Sequence, residues 1–189
     1  MVELLVVIAI IATLAAIGVP AYSSILRKMK VTQAEVLAGQ IQNSIKNYYV
    51  EYQKYPLPEG GGGGEVTPLM SDELIVNTLL GRDPVTNPKK IAFLPELKEV
   101  GPEGVYGLKT QGEGAIIVDP WGMEYNIIMD ADYSSDVDNP NPASGSPKLY
   151  QTVLVWSSGP DKDAATWEDN VATWTKGKSA DTRAPKPTQ

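Results

Sequence analysis

Hydrophobic and polar positions follow two successive patterns over the first third of the chain. From Leu4 to Val19 sixteen residues carry no charge, and only Thr13 and Gly18 interrupt a run of Ala, Val, Ile and Leu. A helix that is apolar all round has no side for water, so it must sit in lipid or among other helices. Sixteen helical residues reach about 24 Å, and with residues 1–3 and 20–22 added about 33 Å, enough to cross a bilayer core. From Thr32 onward Ala34, Leu37, Ala38, Ile41, Ile45, Tyr48 and Tyr52 recur at three-and-four spacing, with Gln33, Glu35, Gln40, Gln42, Lys46 and Glu51 between them. That spacing predicts an amphipathic helix. The patterns join without a boundary, so one long helix is expected from Met1 to about Gln53, stopped by Pro56, which disfavours helix in the residue before it. Gly18 and Pro20 weaken it and predict a helix break, either a bend or a melted stretch.

The remainder reads as short elements. Pro56 to Pro68 holds five consecutive glycines, Gly60 to Gly64, and is a surface loop by composition. Ser71 offers an N-cap for a short helix over Asp72 to Leu80, stopped by Gly81. Asn87 to Val100 is a loop with a short apolar edge. Ala115 to Val118, the turn Asp119-Pro120-Trp121-Gly122 and Glu124 to Met129 read as strand, tight turn, strand. Leu149 to Trp156, rich in Val, is a further strand. The fold class is α+β: a long N-terminal helix packed by its second half on a small antiparallel sheet. Three segments follow: a hydrophobic helix half over 1–30, a globular head over 31–174 that includes the amphipathic half, and a polar flexible tail over 175–189, which is also suited to lying along a neighbouring subunit.

Composition removes several function classes. A net charge of −7 argues against nucleic acid, which needs clustered Lys and Arg. The one basic cluster, Arg27, Lys28 and Lys30, follows the apolar run. With no Cys and no His, disulfides, imidazole metal sites and His-assisted nucleophiles are excluded, and a carboxylate-bound hard cation is one remaining staple. The glycine run lacks the Lys-Ser/Thr and the preceding strand of a phosphate-binding loop.

Glu3 stands at the edge of the apolar run. Burying an isolated carboxylate costs several kcal/mol, and ionisable groups in membrane segments have partners. An α-ammonium group such as that of Met1 meets this need. Within one helix it gives a local pair; between chains it sets the axial register of a stack. A secretory signal peptide is the wrong reading for a stretch that opens on an acid with no cleavage site before a new domain. A permanent single-span anchor explains the length but leaves Glu3 unexplained.

Val2 to Pro20 resembles, nearly residue for residue, the processed N-terminus of type IV pilins and of the pseudopilins of type II secretion systems. The Tyr-Pro ending of the helix and D-P-W-G-x-x-Y, Asp119 to Tyr125, are similar to phrases of the major pseudopilins. Met1 falls where the family has Leu, and the Phe-Thr pair and basic leader are absent from these residues. The resemblance implies a non-enzymatic structural subunit that stacks into a homo-oligomeric helical filament, with Glu3 meeting a neighbour's N-terminal amine. It further implies an inner-membrane precursor, processing and methylation by a prepilin peptidase, and assembly machinery with its own ATPase. The filament would be a periplasmic secretion piston; the alternative is an extracellular pilus for adhesion or motility. Read alone, the basic cluster places the C-terminal side in the cytoplasm, whereas the family topology puts the N-terminus inside and the head outside; the family orientation is preferred.

Two loops concentrate acids. Asp161, Asp163, Glu168, Asp169 and Asn170 fall within ten residues, and a divalent cation relieves such crowding as well as solvent does. Major pseudopilins bind calcium with a C-terminal pattern that Ser157, Gly159, Asp161, Thr166, Glu168, Asp169 and Trp174 resemble. The resemblance therefore implies Ca²⁺ with Asp161, Glu168 and Asp169 as side-chain ligands and Asp163 as a substitute, although Lys162 stands where the family has Gly. The second loop, with Asp130, Asp132, Asp136 and Asp138, reads as a solvated insertion. A membrane-tethered carboxylate hydrolase is the competing class, because paired acids flank Trp residues, but its acids need a set separation across a cleft.

Overall fold

The computed structural model describes residues 2–57, 69–100, 106–112 and 114–175, with the backbone alone for 15–21, 111 and 142. Met1, the glycine run and the tail beyond Thr175 lie outside the described residues. One helix, α1 (Val2–Tyr52), covers the first 51 described residues and is about 76 Å long. It runs helical through Gly18 and Pro20. At its end Gln53 takes φ 55° and donates its N–H to the Tyr49 carbonyl at 2.8 Å, a left-handed C-terminal stop made without glycine.

Burial begins abruptly at Val31. From there Ala34, Leu37, Ala38, Ile41, Ile45 and Tyr48 are buried, the face that the spacing predicts. That face packs on an antiparallel sheet of four strands in the order β1 (Leu69–Met70), β4 (Asn126–Met129), β7 (Val153–Ser157), β8 (Val171–Ala172). Register pairs Leu69 with Ile127, Ile127 with Val155, and Trp156 with Ala172. The inward residues Ile127, Met129, Val153 and Val155 join the helix in the main core. The outward residues Ile128, Leu154 and Trp156 meet a second cluster with Val137, Ala172, Trp167 and Trp174. Both faces are covered, so β4 and β7 bury side chains on either side rather than on alternate positions. The α+β arrangement of long helix and antiparallel sheet is the one expected.

The remaining elements seal the edges. A short helix, α2 (Glu73–Leu79), is capped by Asp72, whose carboxylate accepts from Ile75 N–H at 3.0 Å. Ser71, the expected cap, is drawn into the sheet instead: its hydroxyl donates to the Ile117 carbonyl at 2.8 Å and accepts from Tyr125 N–H at 2.9 Å. Strand β3 (Gly114–Val118) pairs with β2 (Gly107–Gln111), an element the sequence reading lacks, and one bridge joins its Val118 to Glu124, just ahead of β4. The Asp119–Gly122 turn is thus a corner between two sheets. Strands β5 (Val137–Asp138) and β6 (Lys148–Leu149) make a small antiparallel flap.

Polar tethers fix the head to the helix. Gln42 Nε2 donates to the Val153 carbonyl at 2.6 Å and to Thr173 Oγ1 at 3.1 Å. Buried Asn87 donates to the carbonyls of Thr78 and Ile91 at 2.8 and 2.7 Å and accepts from the Tyr52 hydroxyl at 2.6 Å. Tyr48 donates to the Thr86 carbonyl at 2.7 Å. At the base of the head Trp121 packs on Val31, Ala34 and Val171, and the Tyr125 hydroxyl, its pKa driven well above the ordinary value by burial, reaches the Ala34 carbonyl at 3.3 Å. The D-P-W-G-x-x-Y phrase thus clamps the head to the helix where the helix leaves it.

The clamp hangs on Asp119, which is fully buried. Its Oδ1 accepts from Trp121 and Met123 N–H, both at 2.9 Å, and its Oδ2 from the Ser157 hydroxyl at 2.5 Å. Asp119→Ala would leave one buried and two part-buried donors unpaired, and a buried one costs about 1–3 kcal/mol. We expect a loss of at least about 3 kcal/mol in denaturant unfolding of the full chain; a change under about 1 kcal/mol would show that the clamp does not depend on this carboxylate.

Candidate assembly surface and acidic loops

Before the head begins, the described side chains of α1 are exposed. Val2, Leu4, Leu5, Val6, Val7, Ile8, Ile10, Ile11 and Leu14 are each more than half exposed, as are Tyr22, Ile25 and Met29. Scattered exposed apolar residues need no explanation, but a continuous apolar rod requires a cover. Thr13 keeps the rod dry, donating its hydroxyl to the Ile10 carbonyl at 2.8 Å. Glu3 is exposed in the first turn, the end where a carboxylate complements the helix dipole. It is the one acidic or basic side chain between Val2 and Leu26. Among the described residues no helix is long and apolar enough to cross a membrane. The side chains of 15–21, in the last third of the expected span, are not among those described.

The first acidic loop leaves β7 and is pinned at both ends. Gly159 has φ 70°, and a Cβ there would lie 2.4 Å from the Asp169 carbonyl oxygen, so only glycine fits. Trp156, Trp167 and Trp174 form a ring triangle with centroids 5.6–5.9 Å apart that holds the loop on the sheet. Lys162 has φ 63°: at the position where the resembled family has Gly, this chain keeps the left-handed backbone and bears its strain.

The acids mostly organise the loop itself. Asp161 Oδ1 accepts from Asp163 N–H at 2.9 Å, and its Oδ2 from the Thr166 hydroxyl. Asp163 Oδ1 accepts from Ala165 N–H at 2.9 Å, and Asp169 Oδ2 from Asp161 N–H at 3.2 Å. Glu168 is exposed. Among the described residues no three acidic side chains converge so as to hold a metal ion. Two oxygens nevertheless stand buried without a hydrogen-bond partner, Asp169 Oδ1 and Asn170 Oδ1, and such orphans call for a cation, a donor or water. They fit a hard cation as two ligands, with backbone carbonyls needed for the rest. Asn170 was not among the expected ligands, since an amide in an acidic stretch gives no sequence signal of its own. Burial raises the Asp169 pKa, and the nearby Asp161 charge adds to the rise against the lowering by backbone N–H donation.

In the second loop Asp130 departs from the solvated insertion that was expected. It is buried, and its Oδ1 and Oδ2 accept from Ser134 and Ser135 N–H at 2.9 and 2.8 Å. Asp132 also accepts from Ser134, whose hydroxyl and N–H hold its carboxyl below the usual range. Asp136 pairs with Lys148 at 2.5 Å. The acids of this loop are structural, and they shape the flap.

Comparison with known proteins adds one partial match. Over 56 residues the chain is 36% identical to two sequences of the type IV major pilin protein PilE1 of Neisseria gonorrhoeae, covering 30% of this chain and 34% and 31% of theirs. The chain thus spans about a third of the length of the curated relatives it matches. No family model matches, and no solved structure matches. The partial identity supports a type IV pilin-like family.

The Asp169 shift gives a pH signature. A carboxyl whose folded pKa lies above its unfolded one favours the protonated fold, so its contribution is present below the unfolded aspartate range and is lost as pH rises through the raised folded value. In chelator, melting curves from pH 3 to 7 are expected to show this loss in the parent chain and not in Asp169→Asn. Parallel pH profiles for the two would contradict it.

Proposed function

We propose that the chain is a structural subunit of a type IV pilin-like helical filament, assembled through its N-terminal helix. The observation that carries this reading is the bare apolar half of α1, projecting from a head whose own core closes without it. Copies of the same rod supply the missing cover, and Glu3 sets their register by meeting a neighbour's N-terminal amine. Inner-membrane storage with the head outside, peptidase processing and methylation, and a separate assembly machinery belong to the same proposal. Gly18 and Pro20 would be the point where the rod bends or melts when subunits pack.

Two filament types remain. The C-terminal loop pattern from Ser157 to Trp174 favours a secretion pseudopilin, a short periplasmic piston. The partial identity to a type IV major pilin favours an extracellular pilus. Electron imaging of cells making this chain separates them: micrometre-long surface fibres would rule out a solely periplasmic role. The acids support a non-enzymatic reading, since Asp119, Asp130, Asp161 and Asp163 are engaged with the backbone or hydroxyls of their own loops.

Calcium binding in the first acidic loop is a part of the proposal, with Asp161, Glu168, Asp169 and Asp163 as the acidic candidates and Asn170 added by its orphaned oxygen. The cation would supply charge compensation and cross-bracing in a head that has no disulfide.

Glu3→Ala is expected to slow filament formation about tenfold, equivalent to about 1.4 kcal/mol of lost pairing, while membrane insertion is unchanged or improved. Assembly at the parent rate would remove the register argument. Calcium at a hundred times its dissociation constant adds about 2.7 kcal/mol, so chelation should lower the melting temperature by about 5–10 °C. Identical melts with and without chelator would retire the ligand set.

A further inference from the structure

At the far end of α1 from the bare rod, three tyrosines gather where the helix stops. Tyr49 stands on the last turn of α1, Tyr55 follows its end, and Tyr133 comes in from the loop after β4. Ring centroids lie 4.8 Å apart for Tyr49 and Tyr55, 5.8 Å for Tyr55 and Tyr133, and 6.1 Å for Tyr49 and Tyr133. Of the two neighbours of Tyr133, Tyr55 is the nearer and the more nearly parallel, at 19° between planes against 37°. Neither the filament reading nor the calcium loop uses the cluster.

The pairing is set by the frame of the head. Tyr133 N–H donates to the Asp130 carbonyl at 3.4 Å, and Asp130 N–H to the Thr152 carbonyl at 2.8 Å, which ties the loop to the start of β7. The Asp130 carboxylate takes the N–H groups of Ser134 and Ser135 at 2.9 and 2.8 Å and braces the turn that follows the tyrosine. Stacked aromatic planes touch at about 3.5–4.0 Å, so centroids 5.8 Å apart describe an offset pair with edge beside edge. A cavity of about 290 Å³ borders all three tyrosines and leaves the rings room to turn.

Exposure divides the roles. Tyr133 is half exposed and Tyr55 is 6% exposed, so an oxidant in solution reaches Tyr133 first and Tyr55 through its ring neighbours. Burial raises the Tyr55 pKa, the Thr152 hydrogen bond acts against the rise, and the Asp130 charge adds to it. Tyr55 is therefore a neutral phenol at ordinary pH.

We propose that Tyr55 and Tyr133 form a site of oxidative cross-linking, joined ring to ring by a carbon–carbon bond under a haem peroxidase with hydrogen peroxide as oxidant. Each phenol gives up one electron and its hydroxyl proton and becomes a phenoxyl radical. Tyr55 gives its electron through Tyr133, which is then oxidised a second time. The two radicals join at carbons ortho to the oxygens, and the hydrogens on those carbons pass as protons to the oxygens and restore both phenols. The two electrons and two protons released overall reduce one hydrogen peroxide to two waters. The bond ties the end of α1 to the loop after β4, a brace open to a chain that has no cysteine.

The test uses the full chain in polyoxyethylene detergent, with micelles in excess so that each holds one copy, treated with a haem peroxidase and limiting hydrogen peroxide. In the fraction that stays monomeric, mass spectrometry is expected to find a product lighter by two hydrogens, with the Tyr55 and Tyr133 peptides joined after proteolysis. Closing so long a loop should raise the melting temperature of that product by about 5 °C or more. Tyr133→Phe and Tyr55→Phe, which keep the rings, should each remove the product, and Tyr150→Phe, at a position 89% exposed, should leave it in place. The proposal is overturned if the monomer loses no hydrogen at a peroxide dose that couples Tyr150 between copies, if the bond maps to another pair, or if the product survives Tyr133→Phe. A linked monomer that melts with the untreated chain would overturn the brace.

Discussion

A single helix is asked to live in two environments, and nothing among the described residues satisfies both. Its second half has a buried stripe and a wet stripe, and the sheet covers the first. Its first half has no wet stripe, and no part of the described head reaches it. Hydrophobic burial is non-directional and roughly proportional to area, so the cover has to come from outside. Side chains such as Leu5, Ile8 and Ile11, all more than half exposed, are therefore the main unpaid energy of the isolated subunit. Lipid and sister helices are both adequate covers, and Glu3 is what tells them apart. In lipid a carboxylate at the end of the rod is a cost, whereas in the proposed filament it would mark the register against a neighbour's amine.

Such a rod transmits force or position only if the head is rigidly joined to it. That joint is built from polar groups reading the helix backbone and its buried face: Tyr125 on the Ala34 carbonyl, Gln42 across to β7 and Thr173, and Asn87 gripping the loop over Tyr52. Buried hydrogen bonds of this sort add modest net stability but are costly to break, so they specify one docking geometry. The acids follow the same economy. Asp72 caps a helix, Asp119 fixes a corner, Asp130 braces the turn at Ser134 and Ser135, and Asp161 and Asp163 fold their own loop. Of these acids Asp119 and Asp130 are buried, and the others brace turns at the surface, in a chain that has no cysteine to cross-link them.

The long-range features were legible because they rest on periodicity. The change from all-apolar to three-and-four spacing near Thr32 places the point where burial starts, at Val31, while the strand around Ile127 was legible from the Pro-Gly turn before it and that around Val155 from its valines. What was missed lacked such signals. Leu69–Met70 is too short to show a period, and Gly107–Gln111 is a polar edge strand beside β3. Ser71 and Asp72 are equally good caps on composition, and only the pull of Ile117 and Tyr125 on the serine decides between them. In the acidic loops residue types gave the possibility of metal chemistry but not the direction of each oxygen. Asp161 and Asp163 turn to nearby N–H and O–H groups, while Asn170 is left with a buried oxygen unmet.

The central claim is that rod meets rod, and the absence of native cysteine gives it a clean test. Single cysteines placed at Ile8 or Ile11 in the otherwise native chain should form disulfide-linked dimers on mild oxidation of the assembled material, and one at Val85, exposed on the head far along the chain, should not. Cross-linking confined to the rod positions is the result this account predicts. Rod positions that stay monomeric in the assembled state would contradict it, because the apolar half of α1 would then have found its cover elsewhere.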